Sequence, residues 1–149
     1  TVIGEGALKE KLQQYVKEND ARQVYFLGNK PRNEQIQFLN ACDIGLVSLC
    51  KGMYGLGVPS KTYNIMATGK PVLFVGDKGA EVSLYIDQYD CGWAFEWTAE
   101  EKLIRFLKEL SPEDRDIIQD KGAHALHAAR ADFSRDKILN RFQQVLEHA

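Results

Sequence analysis

Five short apolar runs recur along the chain, and between successive runs lies a segment patterned as a helix. This alternation constrains the fold more than any other feature. The runs are Val2-Ile3, QVYFLG (23–28), IGLVSLC (44–50), the stretch Pro71 to Gly76, and CGWAFEW (91–97). Between them, ALKEKLQQYVKEND places Leu8, Leu12, Tyr15 and Val16 on one helical stripe. NEQIQFLNAC turns Ile36, Leu39 and Phe38 inward. A short helix is expected from about Ser60 to Thr68, and DKGAEVSLYIDQYD reads as a turn and helix. From Thr98 onward the pattern is helical throughout. Strands that alternate with helices predict an α/β fold, a Rossmann-like parallel sheet with helices on both faces. The near-continuous apolar run after Asp43 suits a strand covered on both sides.

With 149 residues, the chain is long enough for one domain with one core. A net charge of −2, with acidic and basic residues interspersed, gives no global attraction to nucleic acid or to an anionic membrane surface. The three cysteines, Cys42, Cys50 and Cys91, show no CxxC spacing. They read as reduced thiols of a cytosolic protein, not as a disulfide frame or zinc site. No apolar run approaches the length of a membrane span, and no signal peptide is visible. The strand-like Val2-Ile3 at the very start suggests a piece of a larger protein.

Local signals place helix ends. Asn33 is a candidate N-cap, Thr98 with Glu101 matches a capping box, and Ser111-Pro112 suits an N-cap followed by the first helical residue. Gly69-Lys70-Pro71 stops a helix and restarts the sheet. In parallel sheets ligands bind beyond the carboxyl ends of the strands. The loops of interest are therefore Gly4 to Gly6, Asn29 to Asn33, Lys51 to Ser60 and Gly76 to Ala80.

Two of these loops carry motifs. GEGALK keeps two of the three glycines of a dinucleotide fingerprint. It reads either as a tight strand-to-helix turn or as a glycine pair that lets backbone approach a phosphate or sugar. GLGVPSK is richer. Gly55 and Gly57 allow positive φ and close backbone approach, Pro59 fixes the entry, Ser60 can cap the helix, and Lys61 adds a mobile positive charge. First-turn N–H groups and the helix dipole favour an anion there, so the segment is either a diphosphate cradle or an ordinary capped helix with a surface lysine. His124 and His127 share a helix face without a third metal ligand of suitable spacing, and His148 stands near the terminus. Trp93, Phe95 and Trp97 read as core and interface residues. No catalytic triad or nucleophile elbow can be assembled.

VPSKTYNIMATGKPVLF (58–74) closely resembles the donor-site segment of nucleotide-sugar glycosyltransferases with the two-domain GT-B fold, in the broad family 4 group. Four other stretches fall in that family's order: GEGALKEKL, VYFLGNKPRNEQI, ACDIGLVSL and FSRDKILNRFQQVLE. The resemblance covers nearly the whole chain, and all of it lies within the family's carboxyl-terminal, donor-binding domain. It implies that residues 1–149 are one nucleotide-sugar binding domain that lacks its own first strand and the amino-terminal acceptor domain. The strand at Thr1 to Ile3 would then be second in the doubly wound order and Ile44 to Leu49 fourth, with no central strand between them.

The resemblance also implies residue roles. The diphosphate would lie against the amides of Gly55, Leu56, Gly57 and Val58, with Ser60 and Lys61 at the helix mouth. Asn64 stands where the family often has a ribose-binding glutamate. Leu56 stands where its companion glutamate would be, so the E-x7-E pattern is missing. The base is expected near Asn29 to Arg32. Glu81 would either reach the sugar or favour a helix N-terminus.

The implied activity is retaining transfer from a nucleotide-diphosphate sugar, such as a UDP-sugar, to a glycan or lipid-linked acceptor. No cofactor or obligatory metal is expected, and the expected location is the cytoplasm, with at most peripheral contact at the inner face of the membrane. A nucleotide-sugar epimerase of the same fold and a non-catalytic nucleotide-binding module are the alternatives.

Overall fold

The computed structural model describes residues 1–147; His148 lies outside the described residues. The chain divides into two compact units, Thr1–Phe38 and Leu39–Ala149. All five expected strands form, the last four shorter than their apolar runs, and every pairing is parallel.

In the first unit, β1 (Val2–Ile3) pairs with β2 (Phe26–Leu27) around α1 (Lys9–Glu18). The α1 pattern produces the expected amphipathic helix, but its stripe is not buried: Leu8 is 65% exposed and Tyr15 63%. A 3-10 turn, Arg32–Glu34, follows Pro31. Asn33 therefore lies inside this turn and caps nothing, because the extended backbone of Pro31 starts the turn two residues earlier. Helix α2 (Gln35–Asn40) carries the chain into the second unit. Ile36 on it is exposed, contrary to expectation, whereas Leu39 packs against the second unit's core.

The second unit is built on a three-stranded sheet in the order β3-β4-β5: β3 (Gly45–Ser48), β4 (Val72–Val75) and β5 (Gly92–Phe95). The pair β1-β2 is one sheet and β3-β4-β5 another. Only β4 is buried along its whole length. On β3 burial alternates, with Gly45 and Val47 inside and Leu46 and Ser48 exposed. The expectation of cover on both faces therefore fails for the very run that suggested it. An edge strand with one packed face can carry an apolar residue such as Leu46 outward, and composition alone does not reveal which face is packed.

Helix α3 (Lys61–Ala67) follows β3, and α4 (Glu81–Tyr89) follows β4. After β5 come α5 (Glu100–Glu109), α6 (Arg115–Ala131) and α7 (Arg135–Glu147). The core comprises Val47, Ile65, Met66, Val72, Phe74, Ala80, Val82, Ile86 and Cys91, closed by Ala125, Ala128 and Ala129 of α6. Small residues let α6 approach closely: a Cβ on Gly122 would overlap the Gly69 carbonyl. Gly69 itself ends α3 with φ +69°. Its N–H bonds to the Met66 carbonyl (3.0 Å) and that of Lys70 to the Ile65 carbonyl (3.3 Å), which is a Schellman ending.

Ser111 caps as read, accepting from the Glu113 N–H while the Asp114 carboxylate accepts from the Ser111 N–H. The Thr98–Glu101 box does not form. A 3-10 turn over Trp97–Ala99 places the helix start at Ala99, with no side-chain cap. No helix of the described residues is long and apolar enough to cross a membrane.

Candidate functional site

Because β3, β4 and β5 run parallel, the loops after them leave the same end of the sheet. Residues 49–60 form the longest of these loops. Two successive tight turns shape it, with the Met53 N–H on the Cys50 carbonyl and the Leu56 N–H on the Met53 carbonyl, both 3.1 Å. Gly52 (φ +82°) and Gly55 (φ +75°) adopt the left-handed conformation these turns need, which L side chains resist. Gly57 does not adopt it, contrary to expectation; its role is openness, since a Cβ there would meet nothing within 4 Å.

The loop meets α3 at Ser60. This residue has helical backbone angles (φ −58°, ψ −25°), so its hydroxyl is not in capping position and makes no cap bond. The Thr62 N–H instead closes onto the Pro59 carbonyl at 3.0 Å. Ser60 and Lys61 are both exposed, and Lys61 makes no ion pair among the described residues. Gly55, Leu56 and Gly57 are exposed as well, and Val58 packs against the core. The structure therefore leaves a hydroxyl, an ammonium group and an open backbone together at the mouth of a seven-residue helix.

The other candidates are distributed as follows. Asn64 is exposed on α3. It lines a cavity of about 340 Å³ with Tyr63, Ala67, Leu126, Arg130 and Phe133. Tyr63 also belongs to an aromatic cluster with Tyr85 and Phe133, and burial, with the Tyr85 hydroxyl beside it, raises its pKa. Glu81 is the first residue of α4, where a carboxylate favours the helix N-terminus. Asn29 and Arg32 are exposed in the first unit. The expected base-binding residues and the glycine loop thus belong to different units.

A smaller cavity of about 180 Å³ lies at the carboxyl ends of β4 and β5, lined by Gly76, Asp77, Lys78, Phe95 and Glu96 among others. A third, of about 570 Å³, opens at the opposite end of the sheet beside Asp43, Lys70 and Arg115. The described residues contain no His/Cys/Asp/Glu cluster able to hold a metal ion. His124 lies against the Asp90 carbonyl, with Nδ1 at 3.3 Å. All three cysteines are free; burial pushes the Cys91 thiol up to about 11, which keeps it protonated and inert.

Two features escaped the sequence reading. Trp97 is partly exposed, yet its indole N–H donates to the Leu49 carbonyl (2.9 Å), at the start of the glycine loop. The Gly52 N–H donates to Asp77 Oδ2 (3.1 Å). These partners are 48 and 25 residues apart, and no local motif announces them.

No family model matches the chain. A stretch of 91 residues is 45% identical to "Probable glycosyltransferase WbjE" of Pseudomonas aeruginosa. The match spans 61% of this chain and 23% of that protein, so the chain corresponds to less than a quarter of the relative's length. Among solved structures, the Anabaena protein HepE, in complex with UDP and glucose, superposes with a TM-score of 0.63 at 19% identity. That match covers 99% of this chain and 40% of HepE. The likeness shows the fold: parallel strands alternating with helices, as the apolar runs predicted.

Proposed function

We propose that this chain is most of the carboxyl-terminal, donor-binding domain of a GT-B, family 4-like glycosyltransferase. It binds a nucleotide-diphosphate sugar, with a UDP-sugar the first candidate. The observation that carries the reading is the 45% identity over 91 residues to a protein named as a glycosyltransferase. The fold shared with HepE, whose structure holds UDP and glucose, supports it.

The chemistry asks the domain to stabilise a departing diphosphate. Backbone amides of Gly55, Leu56, Gly57 and Val58 supply hydrogen-bond donors, while the Ser60 hydroxyl, which makes no cap bond, and the exposed Lys61 ammonium supply polar and charged contacts. Asn64 serves the ribose, Asn29 and Arg32 the base, and Glu81 the sugar. No nucleophile is needed from this domain. Transfer is of a hexose with retention of configuration. The acceptor is a glycan or lipid-linked sugar brought by an amino-terminal domain, in the cytoplasm or at the inner face of the membrane.

Titration calorimetry with UDP tests the reading on the 149-residue chain. Binding is expected, and Lys61→Ala combined with Ser60→Ala should weaken it by at least about tenfold, the scale of losing hydrogen bonds to a charged group. Unchanged affinity in the double variant overturns the assignment of the diphosphate to this helix mouth.

A further inference from the structure

We propose that Asp77 is a positioning residue for the glycine loop: its carboxylate holds the Gly52 amide and so sets the path of the backbone toward Gly55 and Ser60. The inference rests on the nucleotide-sugar reading above.

Ser48 and Val75, the last residues of β3 and β4, are register partners, so the two loops leave the sheet side by side. Asp77 stands two residues past the end of β4. Its side chain is not occupied with capping α4, whose N-cap is Ala80 and carries no side-chain cap bond. Instead Oδ2 accepts from the Gly52 N–H at 3.1 Å. Two further contacts act on the same stretch. The Tyr54 ring lies 3.8 Å from the Cβ position of Gly79, a residue at φ +86° in the β4–α4 turn. The Trp97 indole N–H holds the Leu49 carbonyl from the turn after β5. The amino half of the loop, residues 49–54, is therefore tied to both neighbouring loops.

The carboxyl half differs. No side-chain hydrogen bond holds residues 55–60 among the described residues. The turns Cys50–Met53 and Met53–Leu56 join the halves, so an anchor at Gly52 restricts where Gly55 and Leu56 present their amides. Fixing a binding loop before the ligand arrives raises affinity by lowering the ordering cost.

Two measurements on the 149-residue chain test the proposal: amide hydrogen exchange over residues 50–57, and calorimetric titration with UDP. Asp77→Ala should speed exchange at Gly52 to Leu56 and weaken UDP by about tenfold. Asp77→Asn keeps a carbonyl acceptor for Gly52 and should restore both to within about twofold of wild type. Unchanged exchange or unchanged affinity in Asp77→Ala overturns the positioning role, and so does an Asp77→Asn variant that behaves like Asp77→Ala. A wild-type chain that binds no UDP overturns the nucleotide reading and, with it, the donor role of the loop. The exchange data then still decide whether the tether exists.

Discussion

The two units of the chain follow the same sequence pattern to different ends. In Leu39–Ala149, apolar runs become a three-stranded sheet whose central strand is buried at every residue, with Met66 and Phe74 almost wholly enclosed. In Thr1–Phe38, similar runs become two strands of two residues each and one amphipathic helix, and not one residue is fully buried. Period and propensity set which element forms, because they act within a few residues. Burial needs a partner surface. The second unit finds one by stacking α3, α4 and α6 on its sheet. The first unit by itself offers α1 no such surface, and Leu8, Leu12 and Tyr15 stay exposed. Apolar stripes are not confined to the first unit: Ile138, Leu139, Phe142 and Val145 of α7 are exposed too.

The sharpest way to break this contrast is to remove one aromatic side chain from each unit. Phe74→Ala should destabilise by about 3–5 kcal/mol, since it opens a cavity in a closed core. Tyr15→Ala should stay within about 0.5 kcal/mol. Urea unfolding midpoints of the two variants decide the matter. A Tyr15→Ala cost approaching that of Phe74→Ala would mean that the α1 stripe is covered in solution.

Glycines sharpen the contrast next. Gly122→Ala would drive a Cβ into the Gly69 backbone carbonyl, and backbone cannot swing aside as a side chain can. Separating α6 from α3 should cost about 1–3 kcal/mol. Gly6→Ala in the first unit meets nothing within 4 Å and is not in the left-handed region. It should stabilise by up to about 1 kcal/mol, by restricting the unfolded chain. Thermal midpoints shifting in opposite directions are the expected result. A Gly122→Ala variant as stable as wild type would show that the α3–α6 contact yields without cost.

Legibility in the sequence follows the same division between local and distant causes. Five strands and the helix after the glycine loop could be read because hydrophobic period and glycine punctuation are written in consecutive residues. The Ser111 cap could be read because Pro112 excludes a helix start one residue earlier. The Thr98–Glu101 box misled because the Trp97 turn shifts the helix start, and Trp97 is oriented by the Leu49 carbonyl, 48 residues away. Leu46 misled because a run of apolar residues does not say which face of its strand is packed. At the candidate site, the glycines and Lys61 were visible, whereas the loss of the Ser60 cap and the bond from Gly52 to Asp77 depend on the three-dimensional path of the loop.

The smallest expected difference lies in the charges. In the second unit the ammonium of Lys121, largely buried and 5.4 Å from the Trp93 ring, binds the exposed carboxylate of Asp90. In the first, Lys9 at the start of α1 pairs at 2.6 Å with Glu5, four residues earlier in the turn that precedes the helix. The hydrogen bond from Lys121 holds the Asp90 carboxyl below its ordinary value of 3.8, aided by the charges of Lys121 and His124. A carboxyl depressed in the folded state contributes stability that is complete above its unfolded pKa and disappears as pH falls through the folded one. Asp90→Asn should therefore lower stability at pH 6, and the gap to wild type should close progressively below about pH 4. Asp90 is 70% exposed, so solvent screening limits the gap to less than about 1 kcal/mol. Glu5→Gln should show a gap of no more than about 0.5 kcal/mol at any pH, the usual worth of a pair whose carboxylate stands half in solvent. Urea midpoints at pH 6, 4 and 3 separate the cases. Asparagine tolerates the left-handed turn (φ 51°) at the end of α4 as aspartate does, so an Asp90→Asn gap that persists unchanged at pH 3 would mean that Asp90 acts through packing and not through its charge.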